Sequence, residues 1–77
     1  MYQYLPVEER LSSLDLGEYR SFGIAAFRTC GEQREQVAFA SDVSTDEAFV
    51  EQLAQHCTDA QLAPIHLQDV ILNSIGR

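Results

Sequence analysis

The chain has 77 residues and a mass of 8.6 kDa, with twelve acidic against five basic side chains, a formal charge of -7 and a pI near 4.4. That charge repels nucleic-acid backbones and anionic lipid surfaces at long range, and the five bases (Arg10, Arg20, Arg28, Arg34 and Arg77) form no basic stretch. An apolar fraction of 45% with 22% charged residues excludes intrinsic disorder, and the length holds one small domain over residues 1–77.

A domain of this size hides only about 60% of its unfolded surface. Its core then supplies roughly 3–5 kcal/mol of net stability, and small chains commonly add a disulfide, a metal or a partner subunit. The N-terminal segment lacks the basic and apolar regions of a signal peptide, and no window approaches the ~20 apolar residues of a membrane span. The expectation is a soluble, cytoplasmic protein without nucleic-acid or membrane partners. Cys30 and Cys57 are too few for a disulfide scaffold and are read as free thiols, Cys57 as a small buried hydrophobe.

The first half reads as strands. Residues 10–16 carry Leu11, Leu14 and Leu16 and end at Gly17, which suits a tight hairpin turn. A further short strand has room around Tyr2 to Val7. Residues 18–29 alternate, with Phe22, Ile24 and Ala26 on one face and Tyr19, Ser21, Gly23, Ala25 and Phe27 on the other. The polar stretch Cys30 to Glu35 predicts a hairpin loop. Residues 35–43 then continue with Val37 and Phe39 on one face and Ala38 and Ala40 opposite.

The second half reads as helices. Ser44-Thr45-Asp46-Glu47 has the form of a capping box, with Val43 placed as a hydrophobic staple against Ala48, and opens a helix over about 45–58. Its apolar stripe is Phe49, Val50, Leu53, Ala54 and Cys57. Pro64 marks the start of a second helix over about 65–75, with Leu67, Val70, Ile71 and Ile75 inward and Gly76 as its stop. The fold class predicted is α+β: a three-stranded antiparallel meander, with a fourth strand allowed, followed by two helices packed on one sheet face.

The runs Asp42-Val-Ser-Thr-Asp46 and Pro64-Ile-His-Leu-Gln-Asp69 each open a helix. Over residues 36–72 this pattern resembles a family of short bacterial proteins known only as a domain of unknown function. The resemblance implies a compact stand-alone bacterial domain and carries no activity.

Candidate chemistry is sparse. His66 and Asp69 lie one helical turn apart, which suits a carboxylate-oriented imidazole. The position just after Pro64 favours the plainer reading, that the pair caps the helix start. Zinc would need Cys30, Cys57, His56 and His66 to converge without any local chelating pair, so no metal or cofactor is expected. Cys30, beside Gly31, lacks the electropositive setting that activates a thiol. No catalytic residue is assigned; His66, Asp69 and Cys30 are the candidates if a site exists. The sheet face with Ser21, Gly23, Ala25, Ala38 and Ala40, bordered by Tyr19 and Phe27, is small and nearly uncharged. Two helices cover one side of the sheet only, so low-relief apolar surface remains for a partner. A second copy is the expected one, through a sheet-to-sheet or edge contact. The leading expectation is a non-enzymatic, self-associating interaction or regulatory domain. The alternative is a small-molecule or metal sensor, or a minimal enzyme, with its site at a dimer interface near His66, Asp69 and Cys30.

Overall fold

The computed structural model describes residues 1–75; the helix stop expected at Gly76 lies outside them. Three antiparallel strands, β1 (Tyr2–Ser13), β2 (Gly17–Cys30) and β3 (Gln33–Ser44), stand in the order β1-β2-β3. They are followed by α1 (Glu47–Asp59), a 3-10 turn (Pro64–His66) and α2 (Leu67–Ile75). This is the predicted α+β meander with two helices. No helix is long and apolar enough to cross a membrane among the described residues.

The segments expected at 2–7 and 10–16 form one strand, paired with β2 from Tyr2↔Arg28 to Ser13↔Gly17, so among the described residues the sheet has three strands and no fourth. Pro6 does not interrupt it, because β1 is an edge. The Tyr4 amide points away from β2 and donates to Thr58 Oγ1 at 2.9 Å, and by the two-residue period Pro6 lacks its N–H on that same outer side. Leu14 and Leu16 leave the strand for the turn. There Ser13 Oγ accepts from the Leu16 amide at 2.9 Å and Gly17 takes a φ of 69°. The β2–β3 connection is shorter than the loop expected over Cys30 to Glu35: two residues, Gly31 and Glu32, with Gly31 at φ 63°.

The helices cover the face with Tyr4, Phe22, Ile24 and Ala26. Ala38 and Ala40 join that face, opposite Ala26 and Ile24, while Phe39 pairs with Ala25 on the open side. This inverts the β3 phase expected from the sequence, which grouped Ala38 and Ala40 with Ser21, Gly23 and Ala25. Register sets the phase, and the β2–β3 register is interrupted twice. Val37 is extra opposite the Ala26–Phe27 step, and Ser41, Asp42 and Val43 together oppose Gly23.

The cap of α1 also differs from expectation. Ser44 is still paired in the sheet with Phe22, so its backbone cannot start the helix. Asp46 is the N-cap, its carboxylate accepting from the Phe49 amide at 3.3 Å, and Ser44 Oγ accepts from the Asp46 amide at 3.1 Å. Val50, Leu53, Ala54 and Cys57 are buried against the sheet as the stripe predicts, each large apolar member contributing on the order of 2 kcal/mol. From α2 only Leu67 and Ile71 are buried; Val70 is half-buried and Ile75 exposed.

The end of α1 ties back to β1. Leu62 N–H donates to Cys57 O at 3.1 Å and Gln61 N–H to Thr58 O at 3.0 Å, a Schellman closure with Gln61 at φ 50°. The Gln61 carboxamide then reaches the Tyr2 backbone at both ends, accepting from its N–H at 2.9 Å and donating to its C=O at 3.0 Å. Thr58 Oγ1 serves Tyr4 in the same way, and the Tyr4 hydroxyl donates to Leu62 O.

Candidate functional site

The open face of the sheet departs from the polar alternation usual on a solvated antiparallel sheet. The central strand presents Tyr19, Ser21, Gly23, Ala25 and Phe27 there; Leu5, Val7 and Leu11 stand opposite on β1, and Phe39 on β3. Ser21, Gly23 and Ala25 are buried although no helix covers them, because side chains of the two flanking strands lean over the central one. A Cβ on Gly23 would lie 3.2 Å from Phe39 Cε1 and 3.1 Å from Glu9 Oε2, which locates both groups above it. Phe39 remains 45% exposed and Val37 37%.

The two ends of this face carry opposite charge. At one end the Arg34 guanidinium stacks over Phe27, 4.7 Å from the ring centroid, with Nη1 3.4 Å from Gln3 Oε1. At the other end two carboxylates close the β3 bulge. Glu9 accepts from Ser41 Oγ at 2.9 Å and from the Asp42 amide at 2.8 Å. Asp42, at φ 53°, accepts from Ser21 Oγ at 2.6 Å and from the Tyr19 hydroxyl at 3.0 Å. The bond to Asp42 is the main reason the Tyr19 phenol is pushed above its ordinary value, with desolvation and the Asp42 and Glu9 charges acting the same way. No histidine, lysine or thiol stands in this cluster, and its hydroxyls donate to carboxylates that already hold the bulge. Its chemistry is that of a latch.

The residues singled out from the sequence are not gathered. His66 ends the 3-10 turn, exposed, its amide donating to Ala63 O at 2.9 Å; Asp69 is exposed in the first turn of α2. Among the described residues neither side chain makes a hydrogen bond, so the cap expected from the pair does not form; Ala63 precedes the turn without a side-chain cap. Cys30 is exposed where β2 ends, in a shallow depression with Arg28, Gln33, Arg34 and Glu35. The depressions beside Tyr19, His56 and Phe22 contain none of the three. Cys57 is buried, and burial pushes its thiol up. Among the described residues, no three of histidine, cysteine, aspartate or glutamate are placed to hold a metal ion.

The Glu9–Tyr19–Ser21–Asp42 cluster is missing from the sequence reading because its members come from three strands. One signal pointed to it: a glycine inside a strand often marks a bulge or a close backbone approach, and Gly23 is that glycine.

The family model described as "Family of unknown function (DUF6514)" matches residues 1–77. The chain belongs to this family. DUF6514 thus spans the sheet and both helices, more than the 36–72 segment that carried the resemblance. No curated protein and no solved structure matches the chain.

Proposed function

We propose that this DUF6514 chain is a small non-enzymatic interaction domain with a regulatory or adaptor role, and that it self-associates. The observation that carries the reading is the open sheet face, where Leu5, Val7, Phe27, Val37 and Phe39 keep apolar surface in water after both helices have packed on the other side. In a chain this short the single core is small, and covering such a face adds stability that the core lacks. The working environment is the bacterial cytoplasm, a setting supported by the 36–72 resemblance and by two free cysteines that suit a reducing compartment. Sedimentation equilibrium tests the reading. The expected mass is near twice 8.6 kDa at micromolar concentration, and a monomer throughout, up to about 100 µM, refutes it.

A further inference from the structure

We infer that two copies of this chain pack open face against open face about a two-fold axis that sets their strands antiparallel, and that neither sheet edge makes the contact. The inference rests on the self-association reading and adds the surface and the orientation.

The edges are already blunted. Along β1, Thr58 and Gln61 occupy the outward backbone groups of Tyr4 and Tyr2, Pro6 offers no donor, and Glu8 and Arg10 follow with charged side chains. Along β3, the bulges at Val37 and at Ser41–Val43 divide the edge into straight runs of four residues, Gln33 to Gln36, and three, Ala38 to Ala40, each too short to template a second strand.

The face itself is self-complementary. Its middle is apolar, with Leu5, Val7 and Phe39 around Ala25; Arg34 marks one end and Glu9 with Asp42 the other. On β2, Phe27 beneath Arg34 and Gly23 beneath Glu9 are four residues or about 13 Å apart, and Asp42 reaches on to Ser21 and Tyr19. An in-plane two-fold axis across the strands near Ala25 therefore lays the arginine of each copy over Glu9 of the other, with Ala25 and its neighbours Leu5 and Phe39 on the axis. The parallel alternative sets arginine on arginine and carboxylate on carboxylate. The remaining acids lie on the helices, at the hairpin ends or on the helix side of the sheet, so face contact does not press them together.

The area is sufficient for a modest dimer. About nine residues along three strands give a footprint of roughly 30 by 14 Å, or about 400 Å² per copy before side-chain relief is counted. Two copies with relief approach the ~1,200 Å² at which specific interfaces begin.

The test is sedimentation equilibrium of the full chain with three variants, Phe39→Glu, Val7→Lys and Arg34→Glu, each checked by far-ultraviolet circular dichroism. The wild type is expected to dimerise. Phe39→Glu and Val7→Lys weaken the dimer by about a hundredfold, and Arg34→Glu by roughly three- to tenfold. On dilution of the wild type, the Leu5 and Val7 methyl resonances shift while hydrogen exchange at the β3 edge amides does not change. If one apolar variant fails to fold, the other and the dilution experiment decide. A dimer unmoved by a folded Phe39→Glu or Val7→Lys, or one that protects the β3 edge amides, overturns the face contact and leaves self-association standing. A wild-type monomer overturns both.

Discussion

Gly23→Ala is the sharpest probe of how this sheet is built. The glycine sits opposite Ser41, Asp42 and Val43, three residues of β3 against one of β2. An added Cβ would collide with the Ala40 carbonyl oxygen and press Glu9 Oε2 and Phe39 Cε1 at 3.1 and 3.2 Å. The two side chains can yield; the carbonyl belongs to the backbone at the bulge and cannot without moving β3. Overpacking of this kind costs about 1–3 kcal/mol, against which the loss of glycine's unfolded-state freedom returns about 0.4–1 kcal/mol. The net expectation is a destabilisation of about 1–2 kcal/mol in urea titrations at fixed protein concentration, with an unchanged slope. Gly31→Ala is the opposite case, conformation without crowding. Its site has nothing within 4 Å but lies at φ 63°, so alanine there costs about 1 kcal/mol from conformation. Displacing the bulge also pulls Asp42 from Tyr19, so the phenol of the Gly23→Ala variant titrates closer to its ordinary range. A Gly23→Ala protein as stable as wild type, with the Tyr19 titration unchanged, refutes this account of the bulge.

Other changes follow from the same geometry. Gln61→Ala loses both hydrogen bonds to Tyr2 and keeps the strain at φ 50°, whereas Gln61→Gly loses the bonds and relieves the strain. The alanine variant is therefore expected to be less stable than the glycine variant by about 1 kcal/mol in chemical denaturation, and the reverse order refutes the strain assigned to the positive φ of Gln61. Burial, with smaller contributions from Cys57 and Tyr2, holds the Tyr4 phenol up at about 12 against an ordinary 10.0. A folded-state value raised above the unfolded one gives stability that is complete below pH ~10 and lost as pH rises toward 12. Tyr4→Phe should flatten the fall in stability across that window, read by urea titrations at several alkaline pH values. Arg10 stands directly opposite Arg20 across β1 and β2, and Arg20 reaches Glu8 at 3.3 Å. Arg10→Glu replaces a like-charge pair by an opposite one and should stabilise by about 0.2–1 kcal/mol, read as a raised thermal midpoint; a lowered midpoint counts against the register.

What the sequence made legible is what depends on one element at a time. The alternation of Phe22, Ile24 and Ala26 and the stripe of Phe49, Val50, Leu53, Ala54 and Cys57 each reflect a single period meeting a single core, and all but the half-buried Phe49 are buried. The phase of Phe39 was not legible, because it follows from where β3 slips against β2, and the two slips answer to Gly23 and to Val37 rather than to any β3 pattern. The continuity of β1 was hidden for a related reason. The expected segments 2–7 and 10–16 left Glu8 and Glu9 unassigned between them, and edge position is what makes Pro6 and these charges compatible with one continuous strand. Ser44 loses the cap to Asp46 because the sheet claims its backbone first. His66 and Asp69 were singled out by their one-turn spacing and Cys30 by its place beside Gly31, local features that say nothing about convergence; in the fold the three stay exposed and share no depression, while Glu9 and Asp42 meet across strands.

The proportions of the elements explain why so much sheet is left uncovered. A 13-residue helix is about 20 Å long, whereas a 14-residue strand runs about 45 Å, matching the 44 Å long axis of the molecule. The helix layer can therefore shield only part of even the face it packs on. Beyond the last β2–β3 pair, Phe22↔Ser44, β1 and β2 continue as a bare two-stranded arm to the Leu14–Leu16 turn. Such a ribbon is marginal alone in water. What holds its base is the latch, in which Glu9 from β1, Tyr19 and Ser21 from β2 and Asp42 from β3 meet. The same latch puts negative charge at one end of the open face and leaves Arg34 alone at the other. The device that stiffens the arm within one copy thus also gives the face its direction, and a second copy laid antiparallel satisfies that direction while covering the Leu5, Val7 and Phe39 surface that no helix reaches.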